Sequence, residues 1–129
     1  MRRAALLLLV AALGACSKAA QPIVLQPPTG PPPDVDTRYR GTARLVRAAN
    51  QFCPRSGPRV YEVQNGAIAL SYQAAGRRRV PISAPVQADG TFEATDGEGR
   101  LQGQLVNGLL EITISSEFCE HRWTLRPVS

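Results

Sequence analysis

Beyond Thr37 the chain alternates apolar and polar positions with a period of two, and turn dipeptides interrupt the alternation about every eight to twelve residues. No stretch there keeps the roughly 3.6-residue apolar spacing that would bury one face of a helix. The pattern predicts an all-β domain. Asn65-Gly66 separates residues 60–64 from 67–72, and the type I′ turn favoured by Asn-Gly sets Val63 opposite Ile68 and Tyr61 opposite Leu70, with Tyr72 continuing the same face. Asn107-Gly108 repeats the device, setting Leu105 opposite Leu110, Gly103 opposite Ile112 and Leu101 opposite Ile114. A slip of one residue would turn those apolar groups to solvent, so the register is strongly specified. Gly103 leaves a gap beneath Ile112. Ala88-Asp89-Gly90 fits a three-residue loop with Gly90 left-handed, which puts Val86 opposite Phe92, and Asp96-Gly97-Glu98-Gly99 reads as a turn into a further strand.

Strands over 38–47, 79–86 and 120–126 bring the number to about eight in antiparallel meander order. Their natural closure is a small up-and-down β-barrel, closed or nearly closed. About ninety residues suffice for one domain with a modest core. Tyr61, Tyr72, Phe92 and Trp123 are large enough to fill a short barrel, so a packed interior is expected rather than a cavity.

Ahead of this domain the pattern changes twice. Met1-Arg2-Arg3 precedes an apolar run from Ala4 to Leu13, about half of what a membrane-spanning helix needs, and Leu13-Gly14-Ala15-Cys16 closes it. These residues resemble the signal and lipobox of bacterial lipoproteins. The resemblance implies cleavage between Ala15 and Cys16, a diacylglyceryl thioether on Cys16 and acylation of the new amino group. Residues 1–15 would then be a signal peptide, and the mature chain would be anchored stably, because two or more acyl chains hold where one does not. Ser17 stands after the anchor position, where family sorting rules reserve aspartate for the inner membrane; this implies the outer membrane, facing the periplasm. Residues 16–36 carry Pro22, Pro27, Pro28 and Pro31-Pro32-Pro33 and read as an extended tether. About twenty residues at ~3.1 Å each reach up to ~60 Å from the bilayer. The barrel domain takes residues 37–129.

Lipidation also closes the cysteine arithmetic. Three cysteines leave one over in an exported chain; with Cys16 a thioether, Cys53 and Cys119 remain to pair. Cys53 follows the first strand and Cys119 precedes the last, positions that lie at the same end of an even-stranded meander, so a bridge would clamp the seam of a closed sheet.

Charge narrows the partners only slightly. The net charge of +5 includes Arg2 and Arg3, and without them thirteen basic residues face ten acidic ones. No basic stripe interleaves with aromatics on one strand face, which argues against nucleic acid. Arg77-Arg78-Arg79 is the one charge run, in the connection after Tyr72. Three adjacent guanidinium groups suit bidentate contact with phosphates, so the run is a candidate site for an envelope polyanion, with an ordinary solvated loop as the alternative. Arg55 and Arg59 flank Ser56-Gly57-Pro58 and would add to a basic rim. His121 is the sole histidine, and with Cys119 in a bridge its surroundings fall short of a zinc ligand set, so no metal is expected. Alternation puts Cys119, His121, Trp123 and Leu125 on one face near the barrel mouth. There is no nucleophile-elbow pattern and no glycine-rich phosphate loop, and Asp89, Asp96, Glu98 and Glu111 fall on turns or solvent faces; no catalytic site or cofactor is expected.

In anchor, size and architecture the chain is similar to small disulfide-bonded β-barrel lipoproteins that inhibit c-type lysozymes. Those offer a Ser-Gly loop followed closely by Tyr, and Ser56-Gly57-Pro58-Arg59-Val60-Tyr61 resembles it, although alternation turns Tyr61 inward. Lipocalins hold a small ligand in an eight-stranded barrel, but their early Gly-x-Trp is missing and Trp123 lies in the last strand. The resulting expectation is a non-enzymatic lipid-anchored envelope protein whose barrel binds an envelope component, either a polyanion or a protein. Inhibition of a lysozyme-like hydrolase and carriage of a small apolar ligand are the alternatives.

Overall fold

The computed structural model describes residues 34–128. The expected signal segment, Cys16 and the tether as far as Pro33 lie outside the described residues. Eight antiparallel strands follow one another in meander order: β1 (Arg38–Ala48), β2 (Gly57–Glu62), β3 (Ala67–Gln73), β4 (Arg79–Pro85), β5 (Thr91–Asp96), β6 (Gly99–Val106), β7 (Leu109–Ser116) and β8 (Cys119–Pro127). Among the described residues no helix is long and apolar enough to cross a membrane.

Six strands form one sheet in the order β2-β1-β8-β7-β6-β5, and β3 pairs with β4 in a separate hairpin. The first and last strands are neighbours, running from Tyr39 opposite Pro127 to Ala48 opposite Cys119, with a bulge between Leu45 and Arg47. The hairpin lays Ile68, Tyr72, Ile82 and Ala84 against the inner face of the larger sheet, where they share one core with residues such as Phe92 and Leu125. Closure is incomplete at two places, β2 to β3 and β4 to β5.

The β6–β7 hairpin has the register that alternation demands, with Leu105 opposite Leu110, Gly103 opposite Ile112 and Leu101 opposite Ile114. Asn107 and Gly108 both take positive φ, +52° and +77°, as a type I′ turn requires. The space left by Gly103 belongs to Phe92, its partner on β5, for a Cβ built on Gly103 would lie 2.6 Å from Phe92 Cζ. The loop after β4 is also as expected: Gln87 N–H donates to Thr91 O and Gly90 N–H to Gln87 O, with Gly90 at φ +86°. Asp89 accepts both the N–H and the hydroxyl of Thr91, and these bonds hold its carboxyl below the usual carboxylate range. Past that turn β4 goes to β3 and β5 to β6, so no ladder joins them.

The Asn65-Gly66 hairpin departs from expectation. Its turn forms, with φ of +57° and +65°, and Gln64 bridges Ala67. The rungs Val63–Ile68 and Tyr61–Leu70 do not follow. In that register the next hydrogen-bonded pair would be Glu62 with Ala69, since bonded and non-bonded pairs alternate. The Tyr61 hydroxyl takes that place, accepting Ala69 N–H at 2.7 Å and donating to Ala69 O at 3.1 Å. With both groups of Ala69 occupied by a side chain, β2 stays on β1 alone and the cylinder opens there. Val63 and Ile68 are nevertheless both buried in the core.

The folded part also reaches two residues ahead of Thr37. Val35 is buried in the core and its carbonyl accepts the Tyr39 hydroxyl. The Asp36 carboxylate accepts the N–H groups of Asn65 (3.0 Å) and Gly66 (2.8 Å), capping the turn whose hairpin is open. At the other end of the cylinder Cys53 and Cys119 are bonded, with Cα atoms 5.7 Å apart and a sequence separation of 66. By loop-closure entropy such a bridge contributes ~4 kcal/mol. It ties the loop between β1 and β2 to the start of β8, beside the β1–β8 seam.

Candidate functional site

The opening between β2 and β3 leads into a cavity of about 400 Å³ at the disulfide end. This corrects the expectation of a packed interior. Phe92 fills the space over Gly103 as its size requires, but Tyr61 is drawn to the strand gap and leaves room beside Trp123. The volume is in the range of small-molecule sites.

The aromatic wall comes from alternation on β2 and β8. Tyr61 and Trp123 meet edge to face, their ring centroids 6.3 Å apart, and the Arg59 guanidinium stands 5.9 Å from the Trp123 ring centroid. Both arrangements suit the charge distribution of an aromatic ring. Two further Arg59 bonds, to the carbonyls of Arg55 and Pro58, hold that guanidinium in place. Trp123 Nε1 is buried with no acceptor among the described residues. Tyr72 closes the far side, where its hydroxyl donates to Asp96 at 2.5 Å; that bond, with burial adding to it, pushes the Tyr72 phenol up to about 12. Burial likewise raises Tyr61, and its bond from Ala69 N–H offsets part of the rise.

The polar wall is built by β8 and the β3–β4 hairpin. Cys119, His121 and Leu125 are buried along one face of β8, with Trp123 half-buried between them. His121 Nε2 donates to the Pro54 carbonyl at 2.7 Å, which fixes the ring and pins the disulfide loop over the cavity. Gln73 and Arg79 are direct cross-strand partners, and both line the cavity. Gln73 is 3% exposed, and its Oε1 lies 3.1 Å from Cys119 Sγ. A disulfide sulfur has no proton to donate, so this contact leaves Gln73 Oε1 without a donor among the described residues. Arg79 is exposed and donates one Nη2 bond to the Ser71 carbonyl.

Among the described residues no Asp or Glu lines the cavity, while Arg59 and Arg79 do. The two ion pairs among the described residues, Arg38–Glu62 and Arg100–Glu93, use neither of those arginines. The cavity therefore combines an apolar aromatic body with a positive rim.

The arginine run is split by its own loop. Arg77, at φ +64°, stacks its guanidinium 3.8 Å from the Phe52 ring centroid, Arg78 Nε reaches the Ala75 carbonyl at 3.4 Å, and Arg79 alone lines the cavity. Arg55 lies on the same side, its carbonyl held by Arg59. In the loop compared with lysozyme inhibitors, Ser56 Oγ accepts Leu45 N–H and Tyr61 is engaged with Ala69. Gln73 went unnoticed in the sequence. Its only signal there is a position opposite Arg79, readable once the hairpin centred on Gly76 is registered.

Among the described residues no three His, Cys, Asp or Glu side chains are grouped to hold a metal ion. A shallower groove of about 500 Å³ lies on β5–β7 among Gln102, Gln104, Thr113 and neighbouring polar groups, with no buried side chain converging on it apart from Phe92. No family model matches the chain, nor does any curated protein or solved structure.

Proposed function

We propose that the protein is a non-enzymatic lipoprotein of the bacterial envelope, anchored through Cys16 to the outer membrane on its periplasmic side, and that its β domain binds a small, partly apolar envelope molecule in the cavity beside Trp123. The observation that carries this reading is the cavity itself, walled by Tyr61, Tyr72 and Trp123 and reached where β2 leaves β3. Of the expected alternatives, carriage of a small ligand has this support. Binding rather than catalysis is favoured by the lining, which offers no carboxylate and a histidine whose Nε2 is already bonded to a carbonyl. The anchor rests on Leu13-Gly14-Ala15-Cys16.

Purification of the full chain from bacterial membranes, followed by native mass spectrometry, tests both parts. The expected result is a diacylated or triacylated Cys16 together with a co-purified organic molecule that leaves on mild activation. An unmodified Cys16 overturns the anchor. A protein that is ligand-free in every preparation and binds no member of a small-molecule panel overturns the cavity reading.

A further inference from the structure

We infer that the ligand carries a carboxylate, recognised by Gln73 and Arg79. This rests on the reading of the cavity as a binding site and adds the chemical class of what enters it.

Directly opposed residues of an antiparallel pair project to the same side of the sheet with Cβ atoms about 5 Å apart. Gln73 and Arg79 are such a pair. One is a nearly fully buried carboxamide with no hydrogen bond to any donor or acceptor group among the described residues, and the other is a guanidinium whose single side-chain bond goes to a backbone carbonyl. Of the side chains lining the cavity, Trp123 carries a buried Nε1 donor with no acceptor among the described residues, and such a group is costly unless something supplies its partner. Placed together on a cavity wall, the amide N–H and the guanidinium present adjacent donors, a match for the two oxygens of a carboxylate. The remaining walls agree. Arg59 stands on the opposite rim over Trp123, and no acidic side chain lines the space, so an anion entering it meets only favourable charge. Of the two carboxylates that act on Tyr72, Asp96 already accepts its hydroxyl, and neither Asp96 nor Glu98 lines the space. The apolar surface of Tyr61, Leu70, Ile114 and Trp123 takes the rest of the molecule, which fits a ring-sized apolar acid.

The test uses the full chain in neutral phosphatidylcholine vesicles and three probe pairs: benzoate, 1-naphthoate and indole-3-carboxylate, each with its amide. Calorimetry reads affinity, and Trp123, the chain's sole tryptophan, reports occupancy by fluorescence. At least one carboxylate should bind roughly tenfold or more tightly than its amide, as hydrogen bonds to a charged group imply. Arg79→Gln and Gln73→Leu should each remove most of that preference. Arg44→Gln, on the exposed face of β1 and outside the cavity, should not change it. Equal binding of acid and amide overturns the carboxylate inference and leaves the cavity reading standing. Binding of no probe at all overturns both.

Discussion

Tyr61 and Ala69 are joined twice, the tyrosine hydroxyl accepting the Ala69 N–H and donating to the Ala69 carbonyl. One side chain thus satisfies two backbone groups that a neighbouring strand would otherwise take, and the cavity lies beside the resulting gap.

Tyr61→Phe keeps the ring against Trp123 and frees both groups of Ala69. The loss should be about 1 kcal/mol, the worth of an ordinary hydrogen bond at a partly exposed site. Hydrogen exchange at the Ala69 amide should accelerate well beyond that of the β6–β7 ladder. Unchanged protection at Ala69 would show that the hydroxyl does not hold that strand edge.

Gly103→Ala tests the packing between β5 and β6. The added methyl meets Phe92 and the Glu111 carbonyl, and overpacking of this kind costs roughly 1–3 kcal/mol. In Phe92→Leu the same glycine substitution should cost less, because the ring is gone, yet still destabilise through Glu111. A denaturant double-mutant cycle measures the coupling; additive effects would mean that Phe92 does not fill the space above Gly103.

The chain's three tyrosines, Tyr39, Tyr61 and Tyr72, are all pushed above the ordinary phenol value of 10.0, Tyr39 by burial and by Asp34 and Asp36. A phenol whose pKa is raised by folding stabilises fully below its unfolded value, and that contribution is drawn down as the pH climbs through the folded one. For Tyr72 the window runs from 10 to about 12. Tyrosinate absorbance should therefore be nearly absent from the native protein at pH 10 and rise together with loss of β-sheet circular dichroism. Half-ionised tyrosine at pH 10 in a fully folded sample would refute this.

The parts of the fold that were legible from sequence are those in which a turn and its flanking alternation demand the same register. Asn107-Gly108 fixes Leu105 against Leu110, and the rungs toward Leu101 and Ile114 then follow from burial alone. Asn65-Gly66 carries an equally strong signal, but there a side chain outcompetes a strand for Ala69, and periodicity holds no trace of a tyrosine that reaches sideways for backbone. The cap from Asp36 was hidden for a similar reason, as 29 residues separate it from Asn65. At the site, the shared face of His121 and Trp123 was readable from alternation on β8, and Arg79 stood out within its charge run. Gln73 did not, since nothing in a lone glutamine at a strand end tells that it is buried against a disulfide.

The pairing of β1 with β8 gives the domain a direction. Asp34 and Val128 sit at the end that holds both Asn-Gly turns, where Val128 N–H bonds to the Arg38 carbonyl. The disulfide and the mouth of the cavity lie at the other end of β1, an eleven-residue strand that spans roughly 30 Å. A molecule held by way of residue 34 would turn its back to the point of attachment and offer Gln73, Arg79 and Trp123 outward, so that ligand would approach from the side away from any surface to which the protein is fastened.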